Sequence, residues 1–113
     1  MSIKTLAGKI GMDYESVIED FCGDVSSLKD ALKAFASSGD GERLGKAVAA
    51  DDAEAVRKEA HRIRKSAEKL GLEDLRKAAA RLEEASEDKT AADYAHLADI
   101  YGPAVRAIEE EGL

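Results

Sequence analysis

His61 is the residue of this sequence best surrounded for chemistry. On a helix, the surface neighbours of a residue lie three and four positions away. For His61 those positions hold Arg57, Lys58, Arg64 and Lys65, all of them cations. Cations beside an imidazole disfavour a further positive charge on the ring, which favours the neutral, nucleophilic form. They would also stabilise a dianionic group placed on a ring nitrogen, through charge-assisted hydrogen bonds. Both effects suit a histidine that accepts a phosphoryl group. The same cations would attract an acidic pocket on a protein that delivers it. These residues alone leave a second reading open, a solvated histidine on a charged helix face.

The basic cluster stands out because the chain is acidic. Its 113 residues carry a net charge of −7. That balance excludes a duplex-DNA or anionic-membrane binder, since phosphate contacts need Lys and Arg in excess. The length fits one domain with a core of its own. Aromatic residues make up 4% and Trp is absent. Ala, Leu, Glu, Lys and Arg dominate, which suits helices and gives strands little material.

A lone cysteine, Cys22, can form neither an internal disulfide nor a Cys-rich zinc site. It is expected to be a small packing residue. No secretory apolar core opens the chain and no window approaches a membrane span, so a cytoplasmic protein without a membrane partner is the expectation. The second histidine, His96, lies on the final helix beside Tyr94 and Asp99, has no cationic ring and is read as a surface residue. The two histidines are far apart and lack a spaced carboxylate, so neither a metal site nor a resident cofactor is expected. Nothing matches a phosphate-binding glycine loop, a nucleophile elbow or a paired acid/base site.

The elements that must position His61 follow from apolar spacing. Ile3, Leu6 and Ile10 mark a short helical arm over residues 2–10, weakened by Gly8 and Gly11. Tyr14, Val17, Ile18 and Phe21 mark a helix after Asp13, ended by Gly23. Asp24 caps the next, with Val25, Leu28, Leu32 and Phe35 on one face. Leu44 falls roughly 180° around an ideal helix from Phe35. A break is therefore expected near residues 37–41, with Asp40 recapping a helix to about Ala49. The alternative is a continuous helix whose second half packs a different neighbour. Asp51 and Asp52 cap the His61 helix, whose stripe is Val56, Ala60, Ile63, Ala67 and Leu70. Gly71 ends it. Leu72, Leu75, Ala79, Leu82 and Ser86 predict an antiparallel return over residues 73–86. Tyr94, Leu97, Tyr101, Val105 and Ile108 mark a last helix from about Ala91 to Glu110, interrupted at Gly102-Pro103, where a kink is expected. The sum is an all-α, antiparallel up-down four-helix bundle with a helix or two added at the N-terminus. It divides into an arm over residues 1–10 and a bundle over residues 11–113.

The run from Ala60-His61-Arg62-Ile63-Arg64-Lys65 to Leu70-Gly71-Leu72 resembles the signature of histidine-containing phosphotransfer (HPt) domains. That signature reads Ala-His, any residue, an aliphatic, Lys, Gly, two small residues, two variable residues, an aliphatic and Gly. Gly11-Met12-Asp13 and Phe21-Cys22-Gly23-Asp24 resemble the family's capping helix and its Phe-x-Gly-Asp turn. Ala49-Ala50-Asp51-Asp52 resembles the turn before the histidine helix, and Leu82-Glu83 the helix after it. The resemblance covers roughly residues 11–110.

It implies a four-helix bundle in which His61 carries a phosphoryl group between receiver aspartates. The chain would then be a phosphocarrier and not an autonomous kinase. Its partners would be a response-regulator receiver domain and a hybrid sensor kinase, with Mg²⁺ on the receiver. Arg64 falls where the family has a Lys that neutralises phosphoryl oxygens, and Lys65, Arg57 and Lys58 would assist it. Glu83 falls where many members place a polar residue, often Gln, that bonds the imidazole. A glutamate there would accept from Nδ1–H and leave Nε2 as nucleophile. Its charge opposes the effect of the cations on the ring. Two departures matter. Lys65 stands where the family usually has Gly, and residues 37–41 break a helix that is normally continuous. The first keeps an alternative in view, an HPt-like adaptor that binds a receiver or another protein without phosphoryl transfer.

Overall fold

Carboxylates cap three of the helices, and apolar stripes pack the helices together. A computed structural model describes residues 3–113; Met1 and Ser2, at the start of the expected arm, lie outside the described residues. Seven helices follow in order: α1 Ile3–Ile10, α2 Tyr14–Asp20, α3 Val25–Ser37, α4 Asp40–Ala49, α5 Ala53–Lys69, α6 Glu73–Glu83 and α7 Thr90–Glu111. The fold is an all-helical bundle. Asp13, Asp24 and Asp52 each accept a backbone N–H three residues on, which satisfies one of the free donors of α2, α3 and α5. At Asp24 the Ser27 hydroxyl and then its N–H hold the carboxyl below its ordinary range.

Neighbouring helices pack in sequence, α4 on α5, α5 on α6 and α6 on α7. The last helix then returns against α3 and α4 and also covers α1. The enclosed core is mainly Leu, Ile and Ala, including the fully buried Leu28, Leu32, Leu44, Ile63, Leu75, Leu82 and Leu97. Ile3, Leu6 and Ala7 of α1 join this same core.

The expected break is present, but its cap is not Asp40. Gly39, at φ 75°, takes the turn, and the first free N–H groups of α4 are met from outside: Asp40 N–H donates to Ser38 Oγ and Gly41 N–H to the Tyr101 hydroxyl, each at 3.3 Å. Asp40 already lies inside the helix, so its carboxylate faces Arg43 one turn on and is buried in an ion pair with it. Beyond the break, α4 approaches α7 closely. A methyl at Gly41 would meet the Tyr101 ring at 2.5 Å, and one at Gly45 would meet the Tyr94 hydroxyl at 2.9 Å.

Three other expectations are corrected. Ser86 is not the end of the α6 stripe: α6 stops at Glu83, and Ser86 is exposed in a turn, where its hydroxyl bonds Asp88. Gly102-Pro103 does not interrupt α7, which continues to Glu111. The Pro103 ring is exposed, and Ala104 and Ile108 remain buried on the packed side. Cys22 is exposed at φ 56° and is therefore no packing residue.

The turn between α5 and α6 is pinned from outside. Met12 pairs with Leu72 as an isolated antiparallel bridge, and Asp13 N–H donates to the Gly71 carbonyl at 3.3 Å. Gly71 has φ 64°, and a methyl there would lie 2.4 Å from Val17 Cγ2. Val17 is β-branched and buried, so it has little room to turn aside. Gly71→Ala is expected to destabilise the fold by about 1–3 kcal/mol, read as a lower midpoint in urea unfolding.

Candidate functional site

The apolar stripe of α5 fixes where His61 points. Val56, Ala60, Ile63, Ala67 and Leu70 are all buried, and His61 stands one position off that row. Its side chain is 50% exposed at the seam between α5 and α6. Across the seam, burial of Leu75, Ala79 and Leu82 leaves Glu83 one step beyond the core row of α6. The two off-row residues meet, with His61 Nδ1 lying 3.3 Å from Glu83 Oε1. Nε2 makes no hydrogen bond among the described residues.

Arg64 completes the group. Its Nε donates to Glu83 Oε1 at 2.8 Å, its Nη1 donates to Glu68 Oε1 at 2.7 Å, and its Nη2 lies 3.0 Å from His61 Nδ1. The hydrogen bond to Glu83, and then the one to Glu68, hold the guanidinium more firmly protonated than usual. Nδ1 thus faces an acceptor and a donor at once.

The other cations stand differently. Lys65 is exposed and reaches along its own helix, with Nζ 4.0 Å from Glu68 Oε2. Arg57 and Lys58 are exposed and make no ion pair among the described residues. His61, Arg64 and Glu83 therefore form one connected cluster, while Arg57 and Lys58 share only its helix. His96 is exposed, as expected for a surface residue. It nonetheless lines a shallow groove opposite Lys77 and Arg81 of α6, cations that its own helix did not reveal.

The family model described as the Hpt domain matches residues 16–110. The chain belongs to the Hpt domain family. The resemblance read from the histidine motif is borne out, and it extends over most of the chain. Hpt domains pass phosphoryl groups through a histidine in phosphorelays, and they are carriers rather than kinases. Comparison with curated proteins and with solved structures found no match. Among the described residues, no helix is long and apolar enough to cross a membrane.

The sequence reading missed two features of this Hpt domain. One is Glu68, which anchors Arg64 and lies beyond the immediate ring of positions around His61. The spacing of four between Arg64 and Glu68 was its signal. The other is a buried polar group joining α4 to α5. Glu59 is 8% exposed, accepts from Arg43 Nε at 3.2 Å and lies 3.9 Å from Arg62. An acidic residue three after Val56 and four before Ile63, inside the stripe, was the signal there.

Proposed function

We propose that His61 is the phosphoacceptor of this Hpt domain and relays a phosphoryl group between receiver aspartates of a two-component phosphorelay. The observation that carries this reading is the ring's setting. His61 is half-exposed, its Nδ1 is turned to Glu83 and Arg64, and its Nε2 has no hydrogen-bond partner among the described residues. In the reactive form, Nδ1–H donates to Glu83 and the Nε2 lone pair attacks phosphorus. The bond from phosphorus to the receiver's aspartyl oxygen breaks, and the carboxylate leaves with its electron pair. The phosphorylated ring keeps its Nδ1 proton, and Glu83 offsets the positive charge. Reversal passes the group to the next receiver. Arg64 is the first cation in reach of the incoming oxygens, with Lys65, Arg57 and Lys58 adding to the field.

The partners are a response-regulator receiver domain, which holds Mg²⁺, and a hybrid sensor kinase, all in the cytoplasm. The direction of Lys65 supports a carrier over an adaptor. Its ammonium leans toward Glu68 and away from the preceding turn, where His61 sits. A lysine turned this way favours the approach of a receiver to the ring.

The test uses a panel of receivers charged with labelled phosphate. Wild-type protein and His96→Gln are expected to take up acid-labile label, and His61→Gln none. Absence of label on wild type, or equal label on His61→Gln, overturns the reading.

A further inference from the structure

Two bonds compete for one nitrogen of His61. A guanidinium can only donate, so the Arg64 Nη2 contact at 3.0 Å is a hydrogen bond only when Nδ1 carries a lone pair. The ring proton is then on Nε2, and Nε2 cannot attack. An ionised glutamate can only accept, so the Glu83 contact at 3.3 Å is a hydrogen bond only when Nδ1 carries the proton. The neutral ring cannot serve both. The arginine contact is the shorter, and Glu83 Oε1 also accepts from Arg64 Nε at 2.8 Å. The guanidinium is held in this place by a second carboxylate, Glu68, at 2.7 Å from Nη1.

We infer that Glu68 is a positioning residue for the transfer reaction: it anchors Arg64 against Nδ1 and so holds His61 in the unreactive Nε2–H tautomer until a phosphoryl group arrives. The inference rests on His61 being the acceptor. A dianionic phosphoryl group competes with Glu68 for Arg64. The Arg64–Glu68 pair is part-exposed, with the glutamate side chain 38% open to solvent, so it is weakly held and readily exchanged. Once Arg64 turns to the phosphoryl oxygens, Nδ1 loses its donor. The ring exchanges its Nε2 proton with water, takes one at Nδ1, and bonds Glu83. The Nε2 lone pair is then free to attack. One residue therefore supplies both the lock and the charge that the substrate requires, so the nucleophile is armed only when a phosphoryl group is present. Without it, the exposed ring is poorly reactive toward other electrophiles.

The experiment reads the tautomer directly from the ¹⁵N shifts of the His61 ring, measured on the intact protein at alkaline pH, where the ring is neutral. Wild type is expected to show Nε2 protonated and Nδ1 bare. Glu68→Gln is expected to move population toward Nδ1–H and to raise the rate of label uptake from a charged receiver about two- to fivefold. Glu68→Asp is expected to restore part of the wild-type ratio, and Arg64→Ala to give the largest shift toward Nδ1–H. A wild-type ring already protonated at Nδ1, or an unchanged ratio in Glu68→Gln, overturns the inference. The tautomer is measured without any transfer. If His61 took no label in any variant, the acceptor reading would fall while the shifts still judged the role of Glu68.

Discussion

Glu83→Ala is expected to slow phosphoryl transfer to His61 by on the order of 10²-fold, the scale on which misplacing a reacting group costs rate. The expectation follows from what Glu83 Oε1 touches. It lies 3.3 Å from Nδ1 and accepts from Arg64 Nε at 2.8 Å. Alanine removes the only carboxylate facing Nδ1 from α6 and leaves Arg64, still held by Glu68, to bond that nitrogen unopposed. Once Arg64 turns to the phosphoryl oxygens, Nδ1–H then has no acceptor from α6, and the phosphorylated ring loses its counter-charge. Glu83→Gln keeps an oxygen that can accept from Nδ1–H and is expected to stay within about tenfold of wild type. Rapid-quench measurement of label transfer from a charged receiver checks the order: wild type, then Gln, then Ala. Equal rates for Gln and Ala would mean that the acceptor oxygen contributes nothing.

Ile63→Ala is the substitution expected to cost the fold most among those around the site. Ile63 is fully buried on α5, two residues after His61. Truncation removes transfer free energy and leaves a cavity, together about 2–5 kcal/mol. In a domain of this size that lowers the melting temperature by roughly 10–25 °C. Ile63→Val, which deletes one methylene, is expected to cost about 0.5–1.5 kcal/mol. Calorimetry on the two variants checks the ratio. A small loss in both would mean that α5 and α6 close over the gap.

Much of this was legible in the sequence, and the reasons are local. The stripe from Val56 to Leu70 repeats at helical spacing, so the α5 face and the outward position of His61 could be read from it directly. Asp13, Asp24 and Asp52 are caps because the short acidic side chain folds back on the first turn, which spacing alone reveals. Asp40 looked like another such cap and is not, because the neighbouring glycine takes the positive φ and moves the helix start by one residue. The Glu83 contact was inferred through a likeness and not through spacing, since it crosses between helices. Arg43 as the partner of Glu59 and the Lys77–Arg81 side of the His96 groove were missed for the same reason. Glu68 and Glu59 did leave traces along α5, a spacing of four from Arg64 and an acid inside the apolar stripe, but the partners of Glu59 and of His96 on neighbouring helices left none.

The close approach of α4 to α7 reaches further than its own residues. Gly41 and Gly45 bring α4 up against Tyr101 and Tyr94, and α7 in turn backs α6, the helix that carries Glu83. These two missing side chains work as a spacing gauge. They set the distance between α4 and α7, the helix against which α6 rests. A single added methyl on α4 would press on Tyr101 or Tyr94, and α4 also packs on α5, so the strain would fall on both neighbours of the α5–α6 seam. Residues far from the imidazole thereby help to hold the helices that bring Glu83 and His61 together.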